Sequence, residues 1–423
     1  MTENIVLAPG VTLRAMQTDK FKTACFSVNF LRPHCAQDAA ADALLPSVLL
    51  RATERYPDIR SISVRLDELY GATFGTLLRR KGEVKLVGFY ADFIEEAFLP
   101  EGEEVFVPMT EFLEQVLYHP LTENGVFTAR AVEGEKQNLI NAIESELNDK
   151  RTYAVTKMLQ TMCAGEAYGV PRLGDTQSVR AITPESLWTH YQKVLTTSRV
   201  EVFYAGRRSP QEAAAILSRV FAGHGCLSPV PARTEVIRRA DTVREFSEAM
   251  DVTQGKLAMG FRTGGLTCWE EDYPALVLCN AIFGGTTLSK LFLNVREKLS
   301  LCYYASSVLE KMKGLVLVSS GIEFDKYQQA RDEILAQLDN IRSGKIEDWE
   351  LEGARRTVIS GHLATLDDQA RQEEFWLGQA AAGLDETAEE LAARFEAVTR
   401  EQVMEAARKL ELDTIYFLKG KED

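Results

Sequence analysis

This chain has little histidine. Its five histidines are His34, His119, His190, His224 and His362, and no two of them lie three to five positions apart. That spacing is what lets one helix face hold a metal ion through two imidazoles, so such a site is not expected. The seven cysteines (Cys25, Cys35, Cys163, Cys226, Cys268, Cys279, Cys302) include no CxxC pair. They suit reduced thiols, several buried as small apolar side chains. Cys25 has His34 and Cys35 downstream but no orienting third group, which sets aside a cysteine hydrolase. Positive charge is also short, with 48 Lys and Arg against 62 Asp and Glu and a net charge of −14. An acidic surface repels phosphate, so nucleic acid is not an expected partner.

Long apolar runs are missing. Stretches such as Ala43 to Leu45 and Val48 to Leu50 fall far below the ~18 residues that span a bilayer, so no membrane association is expected. The opening MTENIVLAPG lacks the basic and apolar regions of a secretory leader, and the expected location is the cytoplasm. There is no GxSxG elbow and no Walker A sequence, and neither GFRTGG nor FGGTT matches GxGxxG.

What is present is enough apolar material, 45% of 423 residues, for two or three cores. It is laid out twice. CFSVNFLRP and KLAMGFRTG place Phe30 and Phe261 at an offset of 231. KGEVKLVGFYADF and KGLVLVSSGIEF begin at Lys81 and Lys313, an offset of 232, and Gly134 and Gly353 differ by 219. The second copy is therefore about a dozen residues shorter in one stretch. The Pro- and acid-rich LPEGEEVFVP, residues 99–108, is the candidate extra loop.

Each half reads as a strand, two helices (about 38–51 and 59–70; about 272–283 and 287–298), a hairpin (about 72–92 and 302–323), two more helices and a closing strand (199–206 and 414–420). That order implies α+β architecture, with helices packed on a mostly antiparallel sheet. Ser228 to Val236 is Pro-rich, giving domains at 1–228 and 238–423 with a linker at 229–237.

The run NAIFGGTTLSKLFLNVREKLSLCYYASS, from Asn280, resembles the second-half signature of the M16 (insulinase/processing-peptidase) zinc peptidases. GVTLRAMQTDKFKT, ALLPSVLLRAT and LDELYGA are similar to a zinc-site-lacking bacterial subgroup associated with elongation factor P modification. The resemblance covers essentially the whole chain and implies two homologous M16-type (LuxS/MPP-like) domains. Active members carry HxxEH on the helix before the first hairpin. Two histidines on one helix face share zinc, the intervening glutamate takes a proton from its water, and a distal glutamate completes the ligands.

Laid onto that pattern, the histidines fall on Ala43 and Ser47, the glutamate on Pro46 and the distal glutamate on Ala142. None of the four supplies a ligand or base, so the chain is expected to hold no zinc and no other cofactor. Glu133, Glu135, Glu144 and Glu146 read as a solvated acidic helix face beside Lys136 and Lys150.

The second-half signature is intact. By resemblance, Arg296 and Tyr303 reach the zinc site of a partner half and hydrogen-bond the substrate peptide. The plain alternative is that Arg296 and Lys298 are helix-ending cations and Tyr303 is strand core. Tyr304, on the opposite strand face, is assigned to packing, and Gly284-Gly285 to a helix cap and tight turn. The strand from about Thr73 to Arg80 matches the family's peptide-binding edge. Two functions are expected. One is a non-catalytic subunit that pairs with an HxxEH-bearing, zinc-holding M16 chain to make a peptidase or peptide-binding chamber, as a heterodimer acting on a peptide substrate. The other is a stand-alone peptide-binding or scaffold protein without hydrolysis.

Overall fold

The protein is described from a computed structural model, which covers residues 2–421. The chain forms two compact units. One takes in the chain up to Glu144, then Val170–Arg233 and Gln369–Ala381. The other takes in Ser145–Gly169, Thr234–Asp368 and the chain from Ala382 onward.

The first unit is built on a six-stranded sheet with the spatial order Thr2–Ala8, Val11–Gln17, Arg199–Gly206, Thr23–Pro33, Val84–Ile94, Thr73–Lys81. All neighbours are antiparallel except Val11–Gln17 with Arg199–Gly206. The second unit repeats this plan in five strands: Arg244–Met250, Glu411–Gly420, Gly255–Arg262, Leu315–Ile322, Cys302–Glu310. Its one parallel pair, Arg244–Met250 with Glu411–Gly420, takes the same place. The fold is α+β on two mostly antiparallel sheets, as the repeated element order implied. The sequence reading named neither the strands Thr2–Ala8, Val11–Gln17 and Arg244–Met250 nor the helices of residues 150–197.

The offset between copies shows where the second is shorter. The short 3-10 turns Glu96–Phe98 and Phe324–Lys326 start 228 apart, whereas the helices Phe106–Tyr118 and Tyr327–Arg342 start 221 apart. The largest single drop, seven residues, falls at 99–105, inside the stretch singled out as the extra loop.

Each central strand is buried on both faces. In Thr23–Pro33, Ala24, Phe26, Val28 and Phe30 enter the main core under the helices. The alternate residues Cys25, Ser27 and Asn29 face the other way and are equally buried. Helix Gln369–Ala382 covers them. Trp376 packs on Cys25 and Phe203, and the buried Glu373 accepts from Ser27 Oγ at 2.7 Å and pairs with Arg79 at 2.7 Å. In the second unit Leu257, Met259 and Phe261 enter the core, while Ala258 meets Ala154, Met158 and Met162 of helix Lys150–Met162. Gly260 fits under that helix because a Cβ there would stand 2.5 Å from Met162 Sδ.

Chain order and packing thus differ at two segments, because 145–169 and 369–381 each complete the unit of the other half. The break at Arg233 and Thr234 lies within the Pro-containing stretch read as a linker.

The C-terminal end of helix Lys150–Met162 is held by charge. Arg244 and Arg262 donate to the Thr161 and Met162 carbonyls at 2.6 and 2.9 Å. Arg262 also pairs with Glu166 at 2.6 Å and Asp413 at 2.7 Å, and Lys313 with Glu166 at 2.6 Å. Burial raises the pKa of both carboxyls, but hydrogen bonds from Arg262 and Lys313 to Glu166, and from Thr414, Arg262 and Arg244 to Asp413, outweigh it and leave both below their ordinary values.

A folded-state pKa below the unfolded one gives stability that is complete above the unfolded value and lost as pH falls through the folded one. The thermal midpoint of this unit is therefore expected to drop between about pH 5 and about pH 3. In Glu166→Gln that acid dependence is expected to flatten, with a lower midpoint at pH 7. An unchanged acid slope in a calorimetric pH series counts against the network.

Candidate functional site

Helix Ala36–Leu49 carries the first three family positions. Ala43 and Ser47 are half-buried and Pro46 is buried within the helix. A proline inside a helix removes one N–H and crowds the preceding turn, at a cost of ~3 kcal/mol. The Asp42 carbonyl, four residues back, thereby loses its helical donor. Ala142 is exposed on helix Ala129–Ser145. That helix is tied to the end of the first by Arg51 and Glu135 at 2.8 Å. Two alanines offer no donor atom, proline offers none on its side chain, and a single serine hydroxyl is a poor zinc ligand. The residues present do not fit zinc. Among the described residues no three His, Cys, Asp or Glu side chains group as metal ligands.

Under this helix lies a buried cluster of paired charges, in which Asp42 Oδ2 and Arg32 Nη1 have no hydrogen-bond partner among the described residues. Asp42 is fully buried, 2.8 Å from His190 Nε2 and 3.2 Å from Arg32 Nε. Asp38 pairs with Arg32 at 2.8 Å and Lys193 at 2.7 Å. Burial, which raises the Asp38 pKa, is outweighed by Lys193, His190 and Arg32, and the carboxyl lies below its usual range. His34 is pushed down to about 4, first by burial, and its Nε2 meets the Val170 carbonyl at 3.0 Å. Burial likewise brings the Lys85 ammonium down to about 7.

The acidic face expected on the 127–148 helix is only partly solvated. Glu133 and Glu144 are exposed, but Glu135 is buried against Arg51. Lys136 is also buried, donating to the Ile182 carbonyl at 2.8 Å. The pattern misled because Glu135 shares its helix face with Val132 and Leu139, which enter the core.

The second candidate site is built differently. Helix Tyr273–Asn280 runs on into a π-helical turn, Ala281–Gly285, and a second π-helix spans Leu291–Lys298. Gly284 and Gly285 therefore do not form the expected cap, and neither has positive φ. Gly284 is needed for close approach, since a Cβ would stand 2.7 Å from the Ser307 amide and from Leu291 Cδ1. π-Helices are rare and concentrate at functional sites. This one is anchored where it begins by Lys290, buried and bidentate on Glu350 at 2.8 Å, and on its side by Asn294 donating to Gln337 at 2.9 Å. It presents Arg296, whose guanidinium lies 4.7 Å from the Phe292 ring centroid and 3.4 Å from Glu297.

Tyr303 follows at a β-bulge. Cys302 pairs with Ile322 and Tyr304 with Gly321, leaving Tyr303 as the extra residue. A bulge re-aims its side chain, and Tyr303 is 64% exposed. The neighbouring Glu323 carboxylate raises its phenol pKa above the ordinary value, so the hydroxyl keeps its proton and can donate. Arg296, Tyr303 and Glu323 together line an open cavity of about 440 Å³. Tyr304 turns inward under the Arg151 guanidinium, 4.2 Å from its ring centroid, and lies across Gly321. Sequence reasoning missed Glu323 and the bulge, although Glu323 ends the repeated hairpin where Glu95 ends the first.

Strand Thr73–Lys81 is an edge strand. Its Leu78 carbonyl points away from the sheet and accepts from Arg172 Nη1 at 3.2 Å. The outer edge is thus capped at Leu78, with the exposed Thr73 and Thr76 ahead of it.

Comparison with known proteins gives concordant results. The family described as Peptidase M16 inactive domain matches residues 181–358. Over 413 residues the chain is 32% identical to the Bacillus subtilis (strain 168) protein named "Probable inactive metalloprotease YmfF", covering 98% of this chain and 96% of that one. It superposes on the crystal structure of a conserved protein from Enterococcus faecalis V583 with a TM-score of 0.91 at 30% identity, covering 100% and 99% of the two chains. A peptidase M16 inactive domain from Pseudomonas fluorescens shares the fold, with a TM-score of 0.81 at 18% identity and coverage of 99% and 98%.

Two outcomes are expected. Elemental analysis of the purified chain should find far less than one zinc per chain, and about one per chain would contradict the ligand assignment. Lys290→Met strands the buried Glu350 carboxylate and should cost ~3–5 kcal/mol in urea unfolding, whereas the exposed Tyr303→Phe should stay within ~0.5 kcal/mol.

Proposed function

This chain belongs to the M16 peptidase family and is a non-catalytic member of it, and from that premise we propose that it pairs with a zinc-bearing M16 chain as the binding half of a heterodimeric peptidase. The observation that carries this reading is the presentation of Tyr303. A residue with only a packing role would not be turned out of its strand by a bulge, beside an open cavity that it lines with Arg296 and Glu323. Arg296, on a π-helix anchored at its start by a buried ion pair, stands beside it.

In this reading the chain binds and orients, and its partner hydrolyses. The Arg296 guanidinium and the Tyr303 phenol are both donors. Each can hydrogen-bond a peptide carbonyl oxygen and hold it more tightly as charge develops there. Glu323, beside the phenol, holds its pKa up and so keeps it a donor.

A second reading, peptide binding without hydrolysis or a partner, is favoured by the edge strand. Its stretch from Thr73 to Thr76 can receive a short peptide main chain.

Mixing this chain with an HxxEH-bearing M16 chain and following cleavage of an amidated peptide separates the two readings. Cleavage is expected to require or rise with this chain, and to fall ~10²-fold with Arg296→Ala and less with Tyr303→Phe. Cleavage indifferent to both substitutions defeats the subunit proposal. A peptide bound by this chain alone, with no complex formed on size-exclusion chromatography, would establish the second reading instead.

A further inference from the structure

A cavity of about 530 Å³ in the first unit lies where three segments meet: Arg51 and Ala52 after helix Ala36–Leu49, the start of helix Ile59–Glu68, and the entry to helix Ala129–Ser145. Arg51, Arg60 and Arg130 line it. Three guanidiniums around one cavity run against the sign of a chain whose net charge is −14.

Charge already engaged has to be set aside. Arg51 is held by Glu135. Asp58 caps its own helix, accepting from the Ser61 amide at 2.7 Å. Those hydrogen bonds keep its carboxyl below the usual range. Among the described residues, the Arg60 and Arg130 guanidiniums make no hydrogen bond or ion pair, although the Arg60 charge helps lower the Asp58 pKa. Glu123 is the one lining carboxylate left over. The start of the 17-residue helix adds amides and the positive end of its dipole. What remains favours a single negative charge over a doubly charged phosphate. The rest of the lining includes Pro57, Ile59 and Leu121, so the charge should be attached to an apolar body. The volume falls within the ~300–1,000 Å³ usual for small-ligand sites.

We infer that this cavity binds a carboxylate carried by an apolar residue, namely the free C-terminus of a peptide ending in a residue such as leucine. The inference rests on the peptide-binding reading above and gives it a polarity. Arg60 and Arg130 take the terminal carboxylate, the apolar lining takes the last side chain, and Glu123 discriminates against a second negative charge.

The test uses two fluorescent hexapeptides of one sequence ending in leucine, one a free acid and one an amide, titrated into the full chain by anisotropy. The free acid is expected to bind about tenfold tighter or more. The double substitution Arg60→Gln, Arg130→Gln should erase that preference without changing amide binding or the melting temperature, both side chains being exposed. Acetyl-leucine should compete at lower concentration than inorganic phosphate. Glu123→Gln should narrow the gap between those two competitors. Equal binding of acid and amide, a preference that survives the double substitution, binding of neither peptide, or phosphate as the better competitor would each overturn the inference. The cleavage assay with Arg296 and Tyr303 uses an amidated peptide, so it succeeds or fails independently.

Discussion

The central strand of each unit, Thr23–Pro33 in one and Gly255–Arg262 in the other, is buried on both faces, and the rest of the architecture follows from that constraint. Strand residues alternate between faces, so a strand with no exposed residue needs a cover on each side. One cover comes from the helices of the same half. The other is a helix from the opposite half of the chain, Gln369–Ala382 or Lys150–Met162. These second covers differ in chemistry. Glu373 brings a carboxylate to Ser27 and Arg79, whereas Met158 and Met162 bring flexible thioethers to a strand that keeps Gly260 to receive them.

The two copies of the plan have specialised in opposite directions. In the first, the helix that would carry metal ligands has become packing. By the family resemblance Pro46 falls on the base position, and the carboxylates beneath it are paired with Arg32, His190 and Lys193, while Asp42 Oδ2 accepts no hydrogen bond among the described residues. Asp42 is held there by the Arg32 and His190 side chains that face its Oδ1. In the second copy the equivalent region is kept irregular at some cost. Two π-helical turns and a bulge persist because buried contacts hold them: Lys290 with Glu350, Asn294 with Gln337, and Gly284 against the Ser307 backbone.

The repeat, the mostly antiparallel sheets and most of the element order were legible in the sequence, as was the lack of ligand atoms at Ala43, Pro46 and Ala142. Each depends on local signals: strand alternation, helix periodicity, glycine at turns, and the identity of three residues at fixed spacing. The acidic helix face and the paired glycines were less legible. Whether Glu135 meets water or Arg51, and whether Gly284 caps a helix or lets it approach a strand, depends on neighbours more than twenty residues away. The cavity between Arg51, Arg60 and Arg130 has the same origin, because its cations come from separate segments.

The sequence by itself determined that this chain is built twice on one plan and that Ala43, Pro46, Ser47 and Ala142 cannot hold zinc, since those statements concern atoms the side chains have or lack. Only the tertiary structure decided which half completes which sheet, and that Tyr303 stands out in the open beside Arg296 and Glu323. Both are matters of strand register and long-range packing. A single extra residue between Cys302 and Tyr304 separates a half-buried tyrosine from a presented one.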